Sequence, residues 1–213
     1  MKYFVLHYHY SGDHDGIYHQ GPYEDVGGGD VQFPPPLPDY YYSGKPVDLC
    51  NRSIRVEMSK SVKRLCVDFF STMAGCFFAS EKLTALLKFY QNDLQIIPAD
   101  VCYGYGKRKS VEKPFFLIHA DHELQCFDYE KSDYADKAVC LERLASGQSP
   151  DISWADEVTS VVIDEKQAAG NNYFFLKNTL VIPPIISEPL ANVIQEEKLN
   201  VRLQLLPKFD WPW

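Results

Sequence analysis

The sequence predicts an α+β protein, with mixed and antiparallel sheets, few short helices and two related strand–helix–strand units. Three observations carry this. A pattern at residues 76–98 returns at 183–207. Short aromatic and β-branched runs, bounded by turn residues, are spaced along the chain as strands would be. Apolar residues make up 46 % and aromatics 14 % of the 213 residues, enough for a core built largely on strands.

The elements follow in order. Tyr3-Phe4-Val5-Leu6 reads as a first strand. Residues 10–48 hold Gly27-Gly28-Gly29 and Pro34-Pro35-Pro36, a density that prevents regular helix and predicts a long irregular surface segment. Residues 54–73 fit either period: Met58, Val62, Leu65 and Phe69 lie on one helical face, and Arg64–Phe70 serves equally as a strand.

The repeat comes next. Cys76-Phe77-Phe78-Ala79-Ser80-Glu81 and Pro183-Pro184-Ile185-Ile186-Ser187-Glu188 each lead from a strand into a helix. Ser80 and Ser187 can accept from free N–H groups of the first turn, and Glu81 and Glu188 sit at the positive end of the helix dipole. Pro189 is tolerated there because the first turn has no donors to lose. Leu83, Leu86, Leu87 and Tyr90 form an apolar stripe, which Leu190, Val193 and Ile194 repeat. Closing strands follow, Leu94-Gln95-Ile96-Ile97-Pro98 aligning with Leu203-Gln204-Leu205-Leu206-Pro207. Phe115–Ile118, Val158–Ile163 and Tyr173–Leu176 are further strand-like runs. Asp128–Tyr134 reads as an acidic loop. A single domain over 1–213 accounts for the whole: an N-terminal strand and irregular segment (1–50), a first repeat half (51–113) and a second (114–213).

Charge narrows the function. The net charge is −8, concentrated at residues 114–165, where twelve acids face three bases. Nucleic acid needs Lys and Arg on its phosphates, so such a chain is a poor nucleic-acid binder, and a basic protein partner fits better. No apolar run is long enough for a membrane span, and the apolar part of the N-terminus is too short for a signal peptide, which predicts a cytoplasmic protein. None of the six cysteines is spaced CxxC, and most lie in apolar runs, as reduced, buried thiols would.

Chemistry-bearing clusters are weak. His7, His9, His14 and His19 with Asp13 and Asp15 lie on a strand and loop without metal-ligand spacing. His119, Asp121, His122 and Glu123 cannot all converge from neighbouring positions on a strand, and read as a solvated turn. Gly104-Tyr105-Gly106-Lys107-Arg108-Lys109 lacks the full phosphate loop and reads as a basic turn. The expectation is therefore no catalytic residue, no metal and no cofactor.

The pieces Phe115–Ile118 through Cys126–Tyr134, Val161–Glu165, and Phe174–Lys177 through Ile186–Leu190, with Phe77–Leu83 as an earlier copy of the Ser-Glu-x-Leu element, resemble a family of bacterial polymorphic-toxin immunity proteins, numbered family eleven, with a close relative numbered forty-three. Where family members carry Asn-Val after the first of these strands, this chain has His119-Ala120-Asp121-His122. The resemblance implies a non-enzymatic antitoxin that neutralises a cognate toxin, the C-terminal domain of a secreted effector, by binding it. The expected contact residues are Tyr40, Tyr41 and Tyr42, with Asp121, Glu123, Asp128, Glu130, Asp133 and Asp136. Two rivals remain open at this point: a hydrolase using the His and Asp clusters to reverse a toxin's modification, and an adaptor that loads an effector for secretion.

Overall fold

Strand-forming runs and capped amphipathic helices alternate through the chain, and the computed structural model describes residues 1–8, 22–24, 54–58, 64–71, 76–91, 93–103, 109–120, 123–151, 154–181 and 183–209. The strands are β1 (Tyr3–Tyr8), β2 (Pro22–Glu24), β3 (Ile54–Met58), β4 (Phe69–Ser71), β5 (Phe77–Ser80), β6 (Leu94–Tyr103), β7 (Lys109–Ser110), β8 (Phe115–Ala120), β9 (Glu123–Leu124), β10 (Tyr173–Leu176), β11 (Ile185–Ser187) and β12 (Val201–Leu205). The helices are α1 (Glu81–Tyr90), α2 (Lys137–Ala145) and α3 (Glu188–Glu196). The fold is α+β. Among the described residues no helix is long and apolar enough to cross a membrane.

The chain forms two compact units. The first comprises Tyr8–Asp121 with Ile194–Arg202. The second comprises Met1–His7, His122–Val193 and Leu203–Trp213.

The first unit is built on a seven-stranded sheet ordered β2-β3-β6-β8-β5-β4, with β7 also paired to β6. The β3–β6 pair is parallel, and the others are antiparallel. Within the ambiguous 54–73 region, the described residues form strands β3 and β4 with 64–68 irregular between β4 and residues 59–63, which with 72–73 lie outside the described residues; Ile54, Val56, Phe69 and Phe70 are taken into this unit's core. Phe70 stacks on Phe78 at 5.1 Å and meets Phe115 edge-on at the same distance, and Phe69 stacks on Phe77 at 5.6 Å. Leu83 and Leu87 are the fully buried part of the α1 stripe. Ser80 Oγ accepts from Leu83 N at 3.5 Å, the predicted cap.

The second unit has a five-stranded sheet ordered β12-β1-β11-β10-β9. Its core gathers Tyr3, Val5, Phe127, Tyr129, Tyr134, Trp154, Val161, Phe174, Ile185 and Phe209. The β-branched run 158–163 is held by isolated bridges, Ser160 to Asp133 and to Lys208 and Ile163 to Phe127, and is not a strand.

The repeat is present in both units, with its closing strands in a different register from the sequence alignment. Glu81 and Glu188 open α1 and α3 at a spacing of 107 residues, and Leu94 and Val201 open β6 and β12 at the same spacing. Leu94 therefore corresponds to Val201, two residues before the Leu203 chosen by matching Leu-Gln. Identical dipeptides misled the alignment; the uninterrupted helix-to-strand spacing sets it.

Candidate functional site

Residues 127–136 form the most distinctive acidic segment, and their side chains alternate. Phe127, Tyr129, Ser132 and Tyr134 are buried, whereas Glu130, Asp133 and Asp136 are exposed. The three rings pack edge-on in a triangle, with centroids 4.9 Å (Phe127–Tyr129), 5.6 Å (Phe127–Tyr134) and 5.8 Å (Tyr129–Tyr134) apart. Both hydroxyls are used inside: Tyr134 donates to the Tyr129 carbonyl at 3.1 Å and Tyr129 to the Asn178 carbonyl at 3.0 Å. Burial pushes both phenols up, Tyr134 to about 12, so both remain neutral donors. Ser132 Oγ accepts from Val162 N at 2.9 Å, tying the segment to the 158–163 run.

That run brings in acids that the sequence reading missed. Ala135 N donates to the Asp156 carbonyl at 3.0 Å, Thr159 N to the Asp133 carbonyl at 2.9 Å, and Asp133 N to the Ser160 carbonyl at 3.0 Å. Asp156 and Glu157, both exposed, thereby flank Asp133 and Asp136. Lys137, at 3.7 Å from Asp133, makes only a loose pair, and the Asp133 side chain keeps 67 % exposure. The available signal was Trp154-Ala155, a buried pair directly before Asp156-Glu157, which anchors the acids at the surface.

The other expected contact residues separate. Asp128 is no free acid: its carboxylate accepts from Lys131 N at 3.0 Å and Lys131 Nζ at 2.7 Å, and its side chain is only 15 % exposed. Burial would raise its pKa, and the Lys131 bonds outweigh burial and lower it. Asp128 holds the turn. Glu123 lies on β9, paired in parallel to Phe175 of β10, and its half-buried carboxyl is pushed up to about 6 by burial, opposed by Lys177. Asp121, Tyr40, Tyr41 and Tyr42 lie outside the described residues.

The expected solvated turn at 119–123 is corrected in part. His119 is buried within β8, because its strand passes between β6 and β5 in mid-sheet. His7 is likewise buried in β1. His9, His14, His19 and His122 lie outside the described residues. Among the described residues no three His, Cys, Asp or Glu side chains are placed to hold a metal ion. None of the described cysteines is in a disulfide, all but Cys66 are buried, and burial raises the Cys126 thiol to about 12, far from a reactive thiolate.

What the arrangement can do chemically is recognition. Exposed carboxylates stand on a backbone that aromatic packing fixes from beneath, so little backbone freedom remains to be lost on binding. Neither a search against known protein families nor one against curated proteins finds a match to this chain.

Proposed function

We propose that this chain is an immunity protein of the family it resembles, acting in the cytoplasm to bind and neutralise a cognate toxin domain by protein–protein interaction. The observation that carries this reading is the acid-out, aromatic-in alternation of 127–136, extended by Asp156 and Glu157. A rigid acidic face suits a partner whose active site is basic, as in toxins acting on anionic substrates, and opposite fields speed encounter. Binding over this face blocks substrate access. The acids that meet the partner are Glu130, Asp133, Asp136, Asp156 and Glu157; Asp128 shapes the turn beneath them.

Co-expression with the C-terminal domain encoded beside this chain tests the reading. Rescue of growth and a one-to-one complex on a sizing column are the expected result. Protection at far below one copy per toxin would mean catalysis, and a complex without rescue would mean an adaptor; either result ends the proposal. The neutralised set Asp133→Asn, Asp136→Asn, Asp156→Asn and Glu157→Gln is expected to slow association about tenfold or more at low salt and to change little at high salt.

A further inference from the structure

Each unit contains the same four-stranded core in the same order: β6-β8-β5-β4 in the first and β12-β1-β11-β10 in the second. The hydrogen bonds match residue for residue. Ser80 N donates to the Asp68 carbonyl at 2.9 Å, and Ser187 N to the Asn172 carbonyl at 3.1 Å. Ser80 Oγ donates to Asp68 Oδ1 at 2.7 Å, and Ser187 Oγ to Asn172 Oδ1 at 2.6 Å. Glu81 N donates to the Pro114 carbonyl, and Glu188 N to the Lys2 carbonyl. The pairing registers also match: Ser80 lies opposite Phe115 and Phe78 opposite Leu117, as Ser187 lies opposite Tyr3 and Ile185 opposite Val5. Tyr3-Phe4-Val5-Leu6-His7 thus corresponds to Phe115-Phe116-Leu117-Ile118-His119, and the two sequences agree in character at every position, ending on a buried histidine in both.

The chain order does not follow the sheets. Each copy runs inserted strand, long connection, two-strand hairpin, helix, closing strand. Yet β1, which begins the first copy, lies in the second unit's sheet, and β8, which begins the second copy, lies in the first unit's sheet. We infer that the protein is a tandem duplicate whose two copies have exchanged their first strands, so that neither copy closes a sheet by itself and the two units fold as one. This stands independently of the immunity reading. Both long connections, 9–67 and 121–171, start in one unit's sheet and end in the other's. All of the residues expected to meet a partner fall within these two connections.

The test uses the full chain with a protease site placed in the β6–β7 connection, at residues 104–108. Cutting there separates the copies, leaving β1 on one fragment and β11 on the other. Val5→Cys with Ile185→Cys, and at the equivalent positions Phe78→Cys with Leu117→Cys, place thiols on directly opposed residues. After cutting and oxidation, each pair is expected to join the two fragments on a denaturing, non-reducing gel, and each variant carrying only one of the two introduced cysteines, like the cut parent with its six natural cysteines, to leave them apart. A folded, cut variant whose fragments stay apart overturns the exchange. Where a cysteine pair prevents folding, the cut chain with natural side chains decides. Co-elution of its fragments with one urea transition, the same by all probes, is the expected result, and fragments that separate natively or unfold in two transitions overturn it.

Discussion

Asp136 and Glu157 both hold left-handed backbone, at φ 54° and φ 44°, and the Ala135 N to Asp156 carbonyl bond sets them beside each other on the acidic face. Asp tolerates this conformation through its short polar side chain, whereas Glu has no such help and costs about 1 kcal/mol there. Strain of this kind persists where its surroundings over-determine it.

Glu157→Gly relieves the strain, and partly offsets it by loosening the unfolded chain. The expected outcome is a net gain of at most about 0.5 kcal/mol in urea unfolding, together with slower association with the proposed partner. Loss of stability would show that the Glu157 side chain supports the fold.

Asp128 separates the turn from the surface. Asp128→Ala removes two bonds to Lys131 and is expected to cost about 1 kcal/mol, with association slowed far less than by the neutralised acidic set. Parallel measurements of urea midpoint and association rate decide it.

Asp68 is a carboxylate that ties three elements of the first unit together. It accepts from Ser80 Oγ and Lys113 Nζ, each at 2.7 Å, and from Asn200 N at 2.8 Å, while Lys113 and Asn200 also reach the Cys66 carbonyl. Burial opposes its ionisation, and these bonds outweigh burial, lowering the pKa below the ordinary 3.8. Its contribution is therefore fully present above pH 3.8 and is lost as pH falls through the lowered folded value. Asp68→Ala is expected to cost about 2–3 kcal/mol at pH 7, since it removes the acceptor of Ser80 Oγ and Asn200 N and leaves Lys113 only the Cys66 carbonyl, and to cost progressively less on acidification. Denaturation at pH 7 and pH 3 reads both.

Glu123 has the opposite sign. Its pKa is raised to about 6, so ionisation destabilises the fold as pH rises from about 4.5 to 6, and the penalty is complete above 6. Because the group is half-buried, solvent screening reduces the effect, and Glu123→Gln is expected to gain at most about 1 kcal/mol at pH 8 and nothing at pH 4. An equal gain at both pH values would assign the effect to something other than charge.

Tyr173 occupies the place that Phe69 holds in the other copy, one residue after Asn172 as Phe69 follows Asp68. Its hydroxyl is fully buried and has no hydrogen-bond partner among the described residues, and burial alone drives its pKa far up. Tyr173→Phe is expected to be neutral or to stabilise by about 1 kcal/mol. A thermal melt that falls by several degrees would reveal a partner for the hydroxyl.

The repeated serine–glutamate helix starts, the strand runs at 115–118 and 173–176 and the α+β class were legible because each rests on local chemistry: a cap, a dipole, a period. The correspondence of β1 with β8 was not, because Tyr3–His7 and Phe115–His119 share character and few identities, and strand exchange has no local signature. At the site, the acids of 128–136 were visible as charge. Their division into Asp128, which faces inward to Lys131, and Asp133 and Asp136, which face outward, depends on where Tyr129 and Tyr134 are buried. Asp156 and Glu157 join them only through backbone bonds formed on folding.

The aromatic triangle beneath the acidic turn has an evolutionary corollary. Phe127, Tyr129 and Tyr134 fix the path of the chain from within, so the outward positions 130 and 133 are released from any duty to the core, while 136 is held to residues that tolerate left-handed backbone. Successive substitutions there can alter the charge and shape of the exposed face, while the scaffold that displays it is inherited unchanged.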